Sequence, residues 1–279
     1  MNTNKLLDIG SSFLKKNKIS SYNLDSEIIL SNILDISREK LLTKENNVSN
    51  QTVNKFKVLI SRRSKNEPIA YILKNKEFMG KNFVVDNVSL IPRPETELLI
   101  EPIIKIFKNK KIFFLDAGIG SGCITLSILD NLQNSRGIGI DICKKTLINA
   151  KLNLKKFGLK SRAKLMHKSI DDIKNYKFDL IVSNPPYVIR RDIKRLSNDV
   201  KEFEPRIALD GGNDGLDVIK KVIYKSSYIL KKNGILALEI GKGQYRSVLK
   251  ILQNYNFRKR IDIKDYKNNV RCIFSTLTK

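Results

Sequence analysis

The chain has 279 residues, 41% of them hydrophobic, which is enough for about two domains with a sizeable core. No apolar run approaches the roughly 18 residues of a membrane-spanning helix, and Met1 to Lys18 lacks the apolar stretch of a secretory signal. Three scattered cysteines and a single histidine exclude a disulfide framework and a clustered metal site. We therefore expect a cytoplasmic protein with reduced core thiols and no metal.

The charge is strongly basic. Fifty-three Lys and Arg against 28 Asp and Glu give a net charge of +25 and a pI near 9.9. Such a surface favours polyanionic partners such as RNA. The lysines are spread over every segment, however, as compositional drift of a genome would leave them, so we do not expect direct nucleic-acid binding.

Residues 1–72 predict a small helical domain. Leu6, Ile9 and Phe13 recur at helical spacing and share one predicted face. Residues 73–90 alternate weakly around a glycine and predict a β-hairpin connector. From residue 91 to 279 predicted strands and helices alternate, which indicates an α/β domain with an open, mainly parallel sheet.

The first predicted strand of that domain, Ile112–Leu115, is a short apolar run that leads into a glycine-rich turn. Glycines at alternate positions let the backbone turn sharply and approach a ligand closely. An acidic residue roughly 20 positions later can bind ribose hydroxyls, and Asp141, at the end of the next short strand, fits that role. The turn consists of Gly118, Ile119, Gly120, Ser121 and Gly122.

The apolar run Phe178–Ser183 ends in Asn184-Pro185-Pro186-Tyr187. Two prolines fix φ twice and remove two N–H donors, so the carbonyls of this loop are left to accept hydrogen bonds. Asn184 Oδ1 and the Pro185 carbonyl could together bind both hydrogens of a planar NH₂ group, with Tyr187 packed over it. A rigid turn without chemistry is the other interpretation of Pro-Pro.

Both loops follow strands of one predicted sheet, so they meet at its carboxyl edge, where open α/β folds bind ligands. A last edge strand is predicted at Val270–Leu277.

Five segments together resemble the bacterial release-factor glutamine methyltransferases, the HemK or PrmC family, in their order and spacing. The resemblance covers nearly the whole chain. The segments are Pro68–Tyr71, Leu90–Glu97, Gly118–Gly122, Val182–Tyr187 and Phe203–Pro205. Asn-Pro-Pro-Tyr alone also occurs in adenine-N6 methyltransferases of DNA, whereas the Ile91–Glu97 segment and the helical leader are much more specific.

The resemblance implies a Rossmann-like class I methyltransferase domain that uses S-adenosyl-L-methionine to methylate N5 of the glutamine in the Gly-Gly-Gln loop of peptide-chain release factors. The helical leader would help to bind the release factor. Carried over by position, Gly118 to Gly122 would line the methionine part of the cofactor and Asp141 its ribose.

On the substrate side, the resemblance implies that Asn184 touches both cofactor and substrate, and that Pro185, Pro186 and Tyr187 complete the glutamine pocket. The chain departs from the family at three positions. Ala117 and Ile119 replace the usual glycine and threonine, and Ser169 stands near the place of an acidic residue at the adenine. Ser169 is therefore a weaker prediction for an adenine contact.

Two other functions compete with this one. An adenine-N6 methyltransferase acting on nucleic acid would need a flipped base and normally an added target-recognition segment, for which Arg190 to Pro205 is short. A catalytically dead RNA- or ribosome-binding module would be expected to lose the glycines and Asp141, which are present.

Overall fold

The computed structural model describes all 279 residues, and the chain divides into two compact units. One comprises Met1–Asn75 with Ser197–Phe203, and the other Lys76–Leu196 with Glu204–Lys279. None of the helices combines the length and the apolar character of a membrane span. The domain boundaries given above stay a prediction.

The first unit is helical. Its helices are α1 (Thr3–Lys16), α2 (Tyr22–Leu34), α3 (Arg38–Thr43), α4 (Asn50–Arg63), α5 (Ile69–Leu73) and, later in the chain, α10 (Asn198–Phe203). Asn2, Ser37 and Ser49 cap α1, α3 and α4, each accepting a backbone N–H of the first turn. A buried ion pair joins Arg63 Nε to Asp25 Oδ2 at 2.6 Å.

The buried face of α1 differs from the predicted one. Leu6, Gly10 and Leu14 face the core, whereas Ile9 and Phe13 are 40% and 44% exposed. Gly10 explains the difference, because a Cβ there would lie 2.5 Å from the ring of Phe56. The glycine is a contact point between helices that an apolar count misses.

The second unit begins at Lys76, within a two-stranded hairpin of β1 (Asn75–Phe78) and β2 (Lys81–Val84). Its other strands are β3 (Phe113–Ala117), β4 (Arg136–Asp141), β5 (Ala163–His167), β6 (Phe178–Ser183), β7 (Leu230–Glu239), β8 (Phe257–Lys264) and β9 (Val270–Leu277). Its helices are α6 (Pro94–Glu97), α7 (Ile100–Phe107), α8 (Cys123–Asn131), α9 (Thr146–Lys156), α11 (Asp217–Ile229) and α12 (Tyr245–Asn254). Single 3₁₀ turns lie at Ile170–Asp172, Arg190–Arg195 and Arg206–Ala208.

Seven strands form one sheet in the order β5-β4-β3-β6-β7-β9-β8. The first five run parallel, while β9 is antiparallel to both neighbours. Successive residues of a strand point to opposite faces, so Phe114 and Leu115 enter separate buried clusters on the two sides of the sheet. The order reverses between β3 and β6, which is where such sheets open a ligand crevice.

The predicted edge strand is wrong in its position. Val270–Leu277 forms a strand, but it lies between β7 and β8, and β8 is the edge. Arg258, Lys259 and Arg260 give β8 an exposed, charged surface, typical of an edge strand and hard to recognise by hydrophobic pattern. One further expectation needs correction: Cys143 is only half buried, whereas Cys123 and Cys272 are core thiols.

Candidate active site

A cavity of about 590 Å³ opens at the carboxyl edge of the sheet, around the ends of β3, β4 and β6. It brings together most of the residues that the sequence singled out. Those that line it are Gly118, Ile119, Gly120, Ser121, Asp141, Ser169, Asn184, Pro185 and Pro186. Gly122 and Tyr187 do not line it.

The glycine loop, Gly118–Gly122, presents main chain to the cavity. Gly118 and Gly120 have φ of 84° and 56°, and a Cβ built on either would meet nothing within 4 Å. A side chain there would occupy ligand space in a strained conformation. Gly122, with φ of 86°, is instead the N-cap residue of α8. The loop thus leaves an open cradle of backbone.

Asp116 lies beneath this loop at the end of β3 and is fully buried. Its Oδ2 accepts from Thr125 Oγ1 at 2.7 Å and Thr125 N at 3.2 Å, while Oδ1 has no partner. Burial raises the pKa of this carboxyl to about 7. Asp116 fixes the start of α8 and has no group in the cavity.

Asp141 projects from the end of β4 and is held by two main-chain donors. Its Oδ2 accepts from Gly120 N at 3.2 Å and its Oδ1 from Cys143 N at 2.9 Å. Burial raises the pKa of the carboxyl, and these hydrogen bonds oppose that shift. Each oxygen keeps a further lone pair, so Asp141 can still accept from hydroxyl groups.

Two buried polar residues belong to this part of the molecule, Ser121 in the cavity wall and Asn153 behind it. Ser121 is buried, lines the cavity, and its Oγ has no partner. Asn153, which sequence reasoning missed, ties the glycine loop to the hairpin: its Nδ2 donates to Ser121 O and Val84 O, both at 2.9 Å, and its Oδ1 accepts from Val84 N at 2.7 Å.

Ser169 lies at the cavity wall after β5, but its hydroxyl is already engaged. Its Oγ accepts from Asp171 N at 3.3 Å, and Asp172 Oδ2 accepts from Ser169 N at 3.1 Å. Apolar walls adjoin it, Ile170 and the 54% exposed Ile142. Ser169 Oγ accepts one hydrogen bond within the turn and keeps its own O–H as a donor.

Asn184 stands where β6 ends and is anchored by a chain of hydrogen bonds. Its Nδ2 donates to Thr96 Oγ1 at 3.0 Å, and Thr96 Oγ1 donates to Glu239 Oε2 at 2.7 Å. We call Asn184, Thr96 and Glu239 the amide clamp. One N–H of the Asn184 amide is thus donated to Thr96, which leaves its second N–H and its Oδ1, the only acceptor of the side chain, for other partners.

Tyr187 lies against the amide clamp. Its hydroxyl donates to Glu239 Oε1 at 3.2 Å and accepts from Arg271 Nη2 at 2.9 Å. The Arg271 guanidinium also lies 5.4 Å from the centre of the Tyr187 ring. Burial raises the pKa of Tyr187 to about 12 and raises that of Glu239. The packing of Tyr187 over a substrate amide stays a prediction.

A second loop makes the Asn-Pro-Pro-Tyr segment rigid. Val188 N donates to Leu209 O at 3.0 Å, and Gly211 N donates to Val188 O at 2.9 Å. A Cβ on Gly211 would lie 2.8 Å from Tyr187 Cα, so only glycine permits this approach. The Asn-Pro-Pro-Tyr segment is thus fixed at its start by β6 and at its end by the loop that contains Leu209 and Gly211.

The Leu90–Glu97 segment is anchored by buried Glu204. This carboxylate accepts from Ile91 N at 3.3 Å and pairs with Arg93. The anchoring places Thr96 beside Asn184. The sequence analysis identified this segment but predicted no role for Thr96. It also missed Glu239, although a glutamate at the end of an apolar strand was an available signal.

Two family models match the chain. The PrmC N-terminal domain matches residues 5–73, and the methyltransferase small domain matches residues 94–201. Among solved structures, a methyltransferase from Pyrococcus furiosus superposes with a TM-score of 0.55 at 17% identity, covering 78% of this chain and 99% of its own. The second unit therefore has the Rossmann-like fold of methyltransferases.

Two relatives extend over the whole chain. The release factor glutamine methyltransferase of Clostridium botulinum is 38% identical over 96% of both chains. That of Clostridium acetobutylicum is 36% identical over 95% of this chain and 94% of its own. With the glycine loop, Asp141 and the anchored Asn184 in one cavity, and with similarity of this extent, the chain belongs to the release factor glutamine methyltransferase family.

Proposed function

We propose that this protein transfers a methyl group from S-adenosyl-L-methionine to the side-chain amide nitrogen, N5, of the glutamine in the Gly-Gly-Gln loop of class I peptide-chain release factors. The observation that carries the proposal is Asn184, which lines the same cavity as the glycine loop and Asp141 and is anchored through its Nδ2 to Thr96.

The cavity fits the cofactor on its own chemistry. The open backbone at Gly118 and Gly120, with Ile119 and Ser121 beside it in the cavity wall, suits the polar methionine end. Asp141 keeps lone pairs for the ribose hydroxyls. We assign the adenine to the walls near Ser169, and to Asn184 a contact with both cofactor and substrate. Gly122 does not line the cavity, and we assign it to the turn that connects the glycine loop to α8.

The substrate amide needs positioning more than it needs a base. Its nitrogen lone pair is delocalised into the carbonyl, so the group is a poor nucleophile. We assign Asn184 Oδ1 and the Pro185 carbonyl to accept its two N–H bonds, which turns the lone pair toward the cofactor. Pro186 stiffens that loop, and we assign Pro186 and Tyr187 to complete the glutamine pocket. Orientation of this kind can contribute up to about 7–11 kcal/mol to a barrier reduction.

Bound S-adenosyl-L-methionine would supply an electrophilic methyl group on its sulfonium; the N–C bond forms as the S–C bond breaks, and the neutral thioether is the leaving group. As positive charge develops on the amide nitrogen, the two acceptor oxygens stabilise it without having to reorient. The surplus proton leaves the nitrogen for water. Neither a metal nor a general base is part of this mechanism.

Recognition of the release factor is assigned to the helical unit. Ile9 and Phe13 lie one turn apart on α1 and expose apolar surface that could contact a folded partner. A glutamine loop alone offers too little surface for tight binding. Deleting residues 1–72 should leave cofactor affinity within about threefold, because the sheet has its own core, yet lower methylation of the intact factor at least about tenfold.

Calorimetry and a methylation assay check that deletion, with the melting temperature as the control for folding. Undiminished methylation by the truncated chain would remove the docking role. We further propose that the reaction takes place in the cytoplasm, where release factors work, and that it needs no direct nucleic-acid binding by the basic surface.

The substrate class is tested with labelled S-adenosyl-L-methionine and four acceptors: a release factor, the same factor with its target glutamine changed to alanine, DNA and RNA. The proposal expects label in the first alone. Efficient labelling of DNA adenine with none in the release factor would establish the adenine-N6 alternative instead.

A further inference from the structure

The amide clamp joins residues that are far apart in sequence. Asn184 follows β6, Thr96 lies in α6, and Glu239 ends β7, 143 positions after Thr96. Thr96 is 3% exposed and Glu239 fully buried. Of these two, only Thr96 reaches the cavity wall, so Glu239 cannot touch a substrate there.

Within the amide clamp, both hydrogen bonds are donated in the direction of Glu239. An ionised carboxylate can only accept, so the single hydroxyl proton of Thr96 points to Glu239 Oε2. The Thr96 oxygen can then only accept from its other neighbour. Asn184 must therefore turn its NH₂ group toward Thr96 and its Oδ1 away from it.

We infer that Thr96 and Glu239 are positioning residues that fix which end of the Asn184 amide faces the substrate. The inference rests on the proposed function, because only an N–H-bearing substrate requires Oδ1 in the cavity. Without the clamp, the two faces of an asparagine amide are nearly alike in shape, and rotation by half a turn would present donors to a substrate that itself offers donors.

The groups around Glu239 decide whether it stays ionised. Arg271 Nη2 lies 3.5 Å from Oε1, and the Tyr187 hydroxyl donates to the same oxygen at 3.2 Å. Glu95, on the same helix as Thr96, has the opposite effect through its negative charge. Burial raises the pKa of Glu239, whereas the hydrogen bonds from Thr96 and Tyr187 and the charge of Arg271 oppose that shift. The geometry places Glu239 as an acceptor, with Thr96 donating to one oxygen and Tyr187 to the other.

The test compares Thr96→Val, which keeps the shape and removes the hydroxyl, with Thr96→Ser, which keeps the hydroxyl. Thr96→Val should lower kcat for release-factor methylation roughly 10–100-fold, the usual scale for a group that orients a reacting residue, with cofactor affinity within about threefold. Thr96→Ser should retain most of the rate. Ser275→Ala, which removes a buried hydroxyl of β9 that has no partner, is the matched control and should behave as wild type.

A double variant separates positioning from general stability. If Thr96 acts only through Asn184, then Thr96→Val combined with Asn184→Ala should be no slower than Asn184→Ala alone. Should Thr96→Val fail to fold, Glu239→Gln serves instead. Glutamine can donate as well as accept, so it no longer fixes the direction in which the Thr96 hydroxyl donates.

Three results would overturn the inference: a Thr96→Val rate near that of wild type, an equal loss in Thr96→Ser, or a further loss in the double variant. A wild-type protein that labels no release factor would remove the proposed function, and this inference with it. An active wild type with an indifferent Thr96 would remove the inference alone.

Discussion

The glycine loop and the amide clamp adjoin the same cavity, the clamp through Asn184 and Thr96, but they differ in which atoms they offer. The glycine loop offers backbone, and its five residues are consecutive in the chain. The amide clamp is made of side chains from three separate elements, with Glu239 fully buried. We conclude that the loop binds a ligand through shape, whereas the clamp orients one through the direction of its hydrogen bonds.

This difference predicts how each part responds to substitution. Loss of a clamp side chain should mainly affect the rate of transfer, because the hydrogen bonds it provides matter most in the transition state. Loss of a side chain next to the glycine loop should mainly affect cofactor affinity. The four substitutions that follow test this division, from the largest expected effect to the smallest.

Asn184→Ala should give the largest loss. Removing one aligned partner of the transition state typically costs ~2.7–4 kcal/mol, so kcat should fall by about 10²–10³. Cofactor affinity should stay within about tenfold, since the loop is untouched. Single-turnover rates and calorimetry on the same preparation measure both quantities. Turnover near that of wild type would exclude Asn184 from the mechanism.

Asp141→Ala should mainly weaken cofactor binding, with little effect on the rate of transfer. The ribose hydroxyls lose a charged acceptor, so binding of S-adenosyl-L-methionine should weaken by ~1.5–3 kcal/mol, with a much smaller change in the rate at saturating cofactor. Titration calorimetry gives the affinity. Unchanged affinity would show that Asp141 does not hold the ribose.

Asp116 gives a pH-dependent test of the support beneath the loop. Its folded pKa of about 7 lies above the ordinary value of 3.8, so the folded state binds the extra proton. Stability from the neutral carboxyl is complete below pH 4 and is lost as pH rises through about 7.

Wild type should therefore lose about 2 kcal/mol of unfolding free energy relative to Asp116→Asn between about pH 5 and about pH 7. Chemical denaturation at several pH values, with both proteins in the same buffers, measures the difference. A difference that is constant with pH would mean that Asp116 is ionised throughout.

Ser169→Ala should have the smallest effect. The Ser169 hydroxyl already caps the following 3₁₀ turn, so its loss should cost about 0.5 kcal/mol of stability and change cofactor affinity by less than about threefold. Calorimetry and thermal melting check both values. A loss of tenfold or more in affinity would show that the hydroxyl itself contacts the adenine.

The contrast between loop and clamp also explains what the sequence could predict. The parallel sheet, the glycine loop and the position of Asp141 were predictable because each depends on residues close together in the chain. The contact between Thr96 and Glu239 was not predictable, because it spans 143 positions and nothing local distinguishes Thr96. Tyr187 shows the same limit, since its hydroxyl partners, Glu239 and Arg271, come from two other strands.

The two errors in the predicted fold have similar causes. The charged surface of β8 concealed an edge strand, and so Val270–Leu277 was given the wrong place in the sheet. In α1, the buried stripe runs through Gly10, which carries no apolar signal. Both errors arise where tertiary packing, and not the local pattern, decides which residues are buried.

The most direct test of the account is to locate the transferred methyl group. A release factor is incubated with the protein and S-adenosyl-L-methionine carrying a deuterated methyl group, and its peptides are then fragmented in a mass spectrometer. We expect one heavy methyl group, on the side chain of the Gly-Gly-Gln glutamine, and none when Asn184→Ala replaces wild type over the same short incubation. Label on another residue, or equal labelling by the variant, would contradict the account.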